Sequence, residues 1–231
     1  MRPLTVVFFA AFLAFSSVTA APLFFNSSSA ANNAATRADW LVAISVTPQY
    51  LVDFESGFVN LQNIDDIPGL FPGGLVIRDS GPANQAIIRS GSGIINSSNP
   101  VGVFALTHNE TAYLELDFTA RPVDYVAFQD IDHTGTTFIV TFTDGTAVTG
   151  SFETTTGSDD SAEFFGIFRN DYPRIKLLQL DARGDGRWGV DNIEYGAPVV
   201  MADVPEPGSL GLALAGLALV IAGASRRGRS D

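Results

Sequence analysis

General acid–base and nucleophilic chemistry most often rests on histidine, and this chain has two, His108 and His133. Both sit in polar, turn-like runs, Thr107-His108-Asn109-Glu110 and Asp132-His133-Thr134-Gly135. No G-x-S-x-G elbow and no H-E-x-x-H helix accompanies them, so the signatures of a serine triad and a zinc protease are missing. Cysteine is absent, which removes the thiolate nucleophile, the thiolate metal site and the disulfide staple together. Carboxylates are plentiful: Asp65/Asp66, Asp130/Asp132 and Asp159/Asp160 stand in close pairs. Glycoside hydrolysis needs two carboxyls about 5–10 Å apart across a sugar cleft, a condition that adjacency in an acidic chain does not specify. No enzymatic activity is expected from these residues. Hard oxygen ligands in a chain without thiols suit calcium better than a transition metal. Asp130-x-Asp132-x-Thr134-Gly135 opens like a calcium loop, but Thr134 at the third ligand and Thr141 at the twelfth position exclude an EF-hand. Aromatic residues able to stack on sugar rings outside a core are Tyr113, Tyr172 and Trp188.

These residues lie between two segments that read as addresses. Met1–Ala20 starts with the basic Arg2, continues through the apolar run Leu4–Phe15 and ends on the small residues Val18-Thr19-Ala20. That order is a cleaved secretion signal, with Ala21 as the first mature residue; an uncleaved N-terminal anchor is the alternative. At the other end stand Val204-Pro205-Glu206-Pro207, the uncharged stretch Gly208–Ala224, and Arg226, Arg227 and Arg229. As a helix, the 17 uncharged residues span roughly 25 Å, close to a bilayer core of roughly 30 Å. The arginines resist crossing and act as a membrane stop, which leaves the preceding domain outside the inner membrane. The chain then divides into a signal peptide (1–20), a polar leader with a short helix (21–48) and a folded domain (49–198). A linker with the Pro-Glu-Pro triplet (199–207), a transmembrane helix (208–225) and a cytoplasmic basic tail (226–231) follow.

The triplet Pro205-Glu206-Pro207, the Leu/Gly/Ala helix and the terminal arginine cluster resemble the PEP-CTERM sorting signal of Gram-negative bacteria. The resemblance implies processing by an exosortase, a membrane-embedded cysteine transpeptidase, in addition to signal peptidase. It also implies surroundings rich in exopolysaccharide. The two prolines keep the triplet extended and out of the helix that follows, which leaves it accessible at the membrane face.

The central segment must fold on a hydrophobic core alone. Residues 21–204 carry 9 basic and 23 acidic side chains, within a chain of net charge −12. Such a surface repels phosphate backbones, so no nucleic acid partner is expected. The run from Asn26 to Asn33 is polar and of low complexity and reads as a mobile leader. Thr36 and Asp39 have capping-box spacing before Trp40–Ile44, which predicts a short helix over about 36–45; a strand there is the alternative. From Tyr50 onward the apolar period is two. Leu114, Leu116 and Phe118 alternate with Tyr113, Glu115 and Asp117, and Phe138, Val140 and Phe142 share one face. Asp144-Gly145 predicts a two-residue hairpin between 137–143 and 146–152. Further strands are predicted at 51–55, 75–78, 86–89, 101–106, 123–129, 163–168, 175–180 and 188–195. Together they make an all-β, two-sheet β-sandwich, jelly-roll-like.

The segments around Asp144-Gly145-Thr146, Phe164–Ile167 and Trp188–Gly196 are similar in pattern to carbohydrate-binding jelly rolls. In a sandwich the first and last strands often pair, and those jelly rolls hold a structural ion there. The resemblance therefore points to Glu55 and Asp191 as calcium ligands. The alternative is that Asp191 and Asn192 cap the last turn through side-chain bonds. No other cofactor is implied, and the ligand-binding residues stay unassigned. The expected protein is a non-catalytic matrix or surface component that contacts exopolysaccharide or surface partners. A secreted polysaccharide hydrolase and a coat protein without ligand are the rivals.

Overall fold

A computed structural model describes residues 21–27, 30–54, 57–58, 61–81, 86–90, 103–107, 113–131, 136–152, 162–169, 173–181 and 188–197. The predicted signal, the Pro-Glu-Pro triplet, the apolar segment with its arginines, both histidines, Glu55, Asp132 and Tyr172 lie outside the described residues. The side chain of Trp188 does too. The chain divides into two units at Gly196/Ala197, and the described residues to Gly196 belong to the first. Among the described residues no helix is long and apolar enough to cross a membrane.

The strands follow the period-two pattern closely. They are β1 (Leu23–Asn26), β2 (Tyr50–Val52), β3 (Val76–Asp79), β4 (Ile87–Ser90), β5 (Val103–Thr107) and β6 (Tyr113–Asp117). There follow β7 (Tyr125–Ile131), β8 (Thr136–Phe142), β9 (Ala147–Phe152), β10 (Ala162–Phe168), β11 (Ile175–Asp181) and β12 (Trp188–Gly196). One sheet has the order β1-β10-β7-β12-β5-β4, with β2 also pairing β12, and the other β3-β6-β11-β8-β9. Every pairing between the strands is antiparallel. The chain switches repeatedly between the two sheets, so the predicted jelly-roll-like sandwich is the fold.

The core between the sheets is built by alternation. Leu114, Leu116 and Phe118 from β6 and its C-terminal flank meet Val126 and Phe128 of β7, with Phe165 and Ile167 of β10. Two bulges break the alternation. On β11 the register shifts between Ile175 and Leu177, so the interior positions run 175, 178, 180. On β12 it shifts between Asp191 and Glu194, and the interior positions run 190, 193, 195. A bulge inserts one extra residue and flips the parity beyond it, which no alternation count can anticipate.

Two local expectations change. Four residues, Thr143–Thr146, lie between β8 and β9, and the Phe142 N–H donates to the Thr146 carbonyl at 2.9 Å. Gly145 donates to the Phe142 carbonyl (3.0 Å) at φ +85°, a turn that runs into a glycine bulge. The second change concerns the leader. Leu23–Asn26 is a strand antiparallel to β10, not part of a mobile polar run. Ser27 is buried beyond it, and its hydroxyl together with the Asn33 side chain accepts the Phe164 N–H at 2.7 and 2.8 Å. Helix α1 covers Asn33–Ile44, starting three residues before Thr36, with Asn32 at the N-cap and no side-chain cap bond.

Helix α1 packs on the outer face of the first sheet. Trp40 is fully buried there, edge-on to Tyr125 and Phe164 at centroid distances of 5.9 and 5.7 Å. Gly166 makes room for it, since a Cβ at that position would stand 2.7 Å from Trp40 Cδ1.

On the outer face of the second sheet Arg78 bridges Asp66 and Asp117, and Asp117 also accepts the Thr119 N–H at 2.7 Å. Burial disfavours the Asp117 charge, but the Thr119 and Arg78 bonds outweigh it and hold the carboxyl below its usual range. A lowered folded pKa contributes stability that is present above the unfolded value of about 3.9 and is lost as pH falls through the folded value. Denaturation midpoints followed from pH 5 to pH 2 should therefore drop less steeply in Asp117→Asn than in the parent. Equal slopes would remove Asp117 from the acid response.

Candidate functional site

The β12 bulge shapes a concavity lined by polar and charged side chains. Asn192 takes φ +50°, a left-handed conformation that asparagine tolerates better than most side chains, and lets the strand fold back into register at Glu194. Asp191 is fully buried. It accepts from the Asn192 N–H at 2.7 Å and from the Asn192 side-chain amide at 3.1 Å. The same amide donates to Gln129 Oε1 across the sheet at 3.1 Å. Glu194, 5 % exposed, is met by Arg37 from helix α1, whose Nε and Nη2 reach its two carboxylate oxygens at 2.6 and 2.8 Å. That two-point bond raises the Arg37 guanidinium above its ordinary value.

Arg37 reaches Glu194 because Trp40, one turn later on the same helix face, fixes α1 on the sheet. Arg37, Gln129, Asn192 and Glu194, with Phe164 and Leu51, line a concavity of about 190 Å³. Leu51 is 54 % exposed and also borders a second cleft of about 380 Å³. Phe54, Phe58 and Phe71 line that cleft with ring centroids 5.8–5.9 Å apart, and Asp53 stands among its lining residues. Phe54 holds φ +55°, a strained conformation for an aromatic residue. Fixed amides and ions on one side of Leu51 can hydrogen-bond hydroxyls, and Leu51 with the partly buried Phe58 on the other side can meet an apolar ring face.

The sequence-predicted residues fall as follows. Strand β2 pairs the last strand as expected, with Val52 opposite Ile193. Asp191 lies two residues from that pair, while its proposed calcium partner Glu55 is outside the described residues. Asp191 bonds the Asn192 backbone and side-chain amide within the β12 bulge. Asp130 is buried on the inner face, in register with Glu163, so it faces the core rather than a solvent loop. Tyr113 is half-buried, opposite Asp181. Sequence reasoning missed Arg37 and Glu194, which lie 157 positions apart. Their one sequence signal is the place of Arg37 a turn ahead of the helix tryptophan.

Among solved structures, the chain is similar to one described as a structural analysis of an exo-beta-agarase, at 15 % identity with a TM-score of 0.28. The alignment covers 66 % of this chain and 25 % of that one, so the chain spans about a quarter of its length, and likeness at that level carries no argument. No curated protein matches the chain. Residues 203–229 match the family model of the PEP-CTERM protein-sorting motif, across the triplet, apolar stretch and arginines read from the sequence. The chain carries a PEP-CTERM sorting motif, and with it the C-terminal membrane-anchoring signal of an exported protein sorted by exosortase.

Proposed function

We propose that the protein is a non-catalytic component of the cell surface or extracellular matrix whose β-sandwich binds exopolysaccharide. On this reading the C-terminal helix first anchors it in the inner membrane with the sandwich outside. Exosortase then cleaves near Pro205-Glu206-Pro207 and passes the mature domain to the surface or the medium.

One observation supports the binding role above the others. The polar concavity and the aromatic-lined cleft share Leu51, so the hydrogen-bonding groups of Arg37, Gln129 and Asn192 stand beside an apolar rim formed by Leu51 and the partly buried Phe58. A chain of sugar rings, with hydroxyl edges and apolar faces, suits that alternation better than a compact metabolite does. Binding is favoured over hydrolysis because Arg37 occupies both oxygens of Glu194, which ties that carboxyl to the helix instead of leaving it free to reach a substrate.

Affinity electrophoresis in soluble exopolysaccharide from the producing strain tests the reading. Leu51→Asp places a charge at the junction of the two subsites, on a side chain exposed enough that the fold tolerates it. Retardation of the parent, weakened by about tenfold in affinity in the variant, is expected, equivalent to about 1.4 kcal/mol. A parent that is not retarded, or a variant retarded equally, would contradict the assignment of this surface.

A further inference from the structure

At the end of β3 a buried carboxylate has no ion-pair partner among the described residues. Asp79 is 3 % exposed and lies on the same face as the core residue Ile77. Its Oδ1 accepts the Gly81 N–H at 2.8 Å, while its Oδ2 is buried and has no hydrogen-bond partner among the described residues. An ionised oxygen in that state is costly, and native structures normally match it with a cation, a proton or a donor. The neighbouring cation cannot serve, because Arg78 on the opposite face is engaged by Asp66 and Asp117.

A second carboxylate stands beside the first. Asp65 accepts the backbone N–H of Asp79 through Oδ1 at 2.6 Å, which ties the 63–66 turn to the end of β3. Asp65 is partly buried. Burial raises its pKa foremost, and the charge of Asp79 adds to the rise, outweighing the opposing Asp79 N–H bond and the pull of Arg78. Two acids alone would repel; the orphaned, buried Oδ2 of Asp79 is the separate observation that calls for a positive partner.

We propose that Asp65 and Asp79 form a calcium site that locks the 63–66 turn onto β3. Among the described residues no three acidic or histidine side chains are grouped to hold a metal. The site is therefore a two-carboxylate one, in which backbone carbonyls and water supply the rest of the six to eight oxygens calcium takes. Oxygen-only ligands and two negative charges select a hard divalent ion over zinc or copper. The site is distinct from the Glu55–Asp191 pair suggested by resemblance.

Calcium titration calorimetry and thermal melting of the full chain in detergent, with chelator or added calcium, test the proposal. The parent should bind calcium and melt about 5 °C or more higher at a hundredfold excess over Kd. Asp79→Asn and Asp65→Asn should each weaken binding at least tenfold, whereas Asp191→Asn should leave it within twofold. In chelator, Asp79→Asn should melt no lower than the parent, since it deletes a buried charge; a purely structural carboxylate would give a lower midpoint. If Asp79→Asn does not fold, Asp65→Asn decides alone. No binding by the parent, unchanged affinity in Asp65→Asn, or loss of binding only in Asp191→Asn would overturn the site.

Discussion

Replacing Trp40 with alanine is expected to destabilise the sandwich by about 3–5 kcal/mol, the largest single-residue effect in the described part of the fold. The side chain is fully buried, forms edge contacts with Tyr125 and Phe164, and donates its indole N–H to the Ile167 carbonyl at 3.4 Å. Its removal opens a cavity that Gly166 cannot fill, because Gly166 has no side chain and its strand is held between β1 and β7. Trp40 and Ile44 are the buried residues of α1, so the helix loses most of its hold on the sheet. Loss of the helix would also withdraw Arg37 from Glu194 and leave a carboxylate buried without its cation, adding to the penalty. Urea unfolding of Trp40→Ala beside Val42→Ala, at a position 76 % exposed, separates anchor from solvent face. The Val42 variant should stay within about 0.5 kcal/mol of the parent. A Trp40 loss below about 1 kcal/mol would mean that α1 does not depend on this contact.

The strands were legible because a half-buried strand must alternate, and Leu114, Leu116 and Phe118 or Phe138, Val140 and Phe142 carry that alternation in plain view. The helix was legible in place but not in its start. The Thr36–Asp39 spacing imitates a capping box, while the actual first turn follows Asn32 without a side-chain cap. Strand β1 was not legible at all. Four residues, Leu-Phe-Phe-Asn, carry little pattern, and their conformation is set by β10, more than a hundred residues later in the chain. The site was hidden for the same reason. The bulge at Asp191 and Asn192 is a property of pairing, and Glu194 gains its meaning only when α1 delivers Arg37. The sorting motif was the opposite case. Its triplet, apolar stretch and arginines are contiguous, so their order needs no tertiary structure to be read.

Contiguity also makes the motif open to a clean test. The account predicts that Pro205-Glu206-Pro207 is required together with the apolar segment. Proline disfavours helix at both positions, and three alanines would remove that restriction. The effect expected is an all-or-none loss of processing rather than a shift of a few kcal/mol.

The most direct measurement follows the size and cell fraction of the full chain in strains with and without an exosortase, for the parent and for the variant carrying alanine at 205, 206 and 207. The account predicts that the parent is shortened and leaves the inner membrane only where the exosortase is present. The alanine variant should remain full-length at its C-terminus in that membrane in both strains. A variant processed and released like the parent, or a parent processed equally without the exosortase, would contradict it.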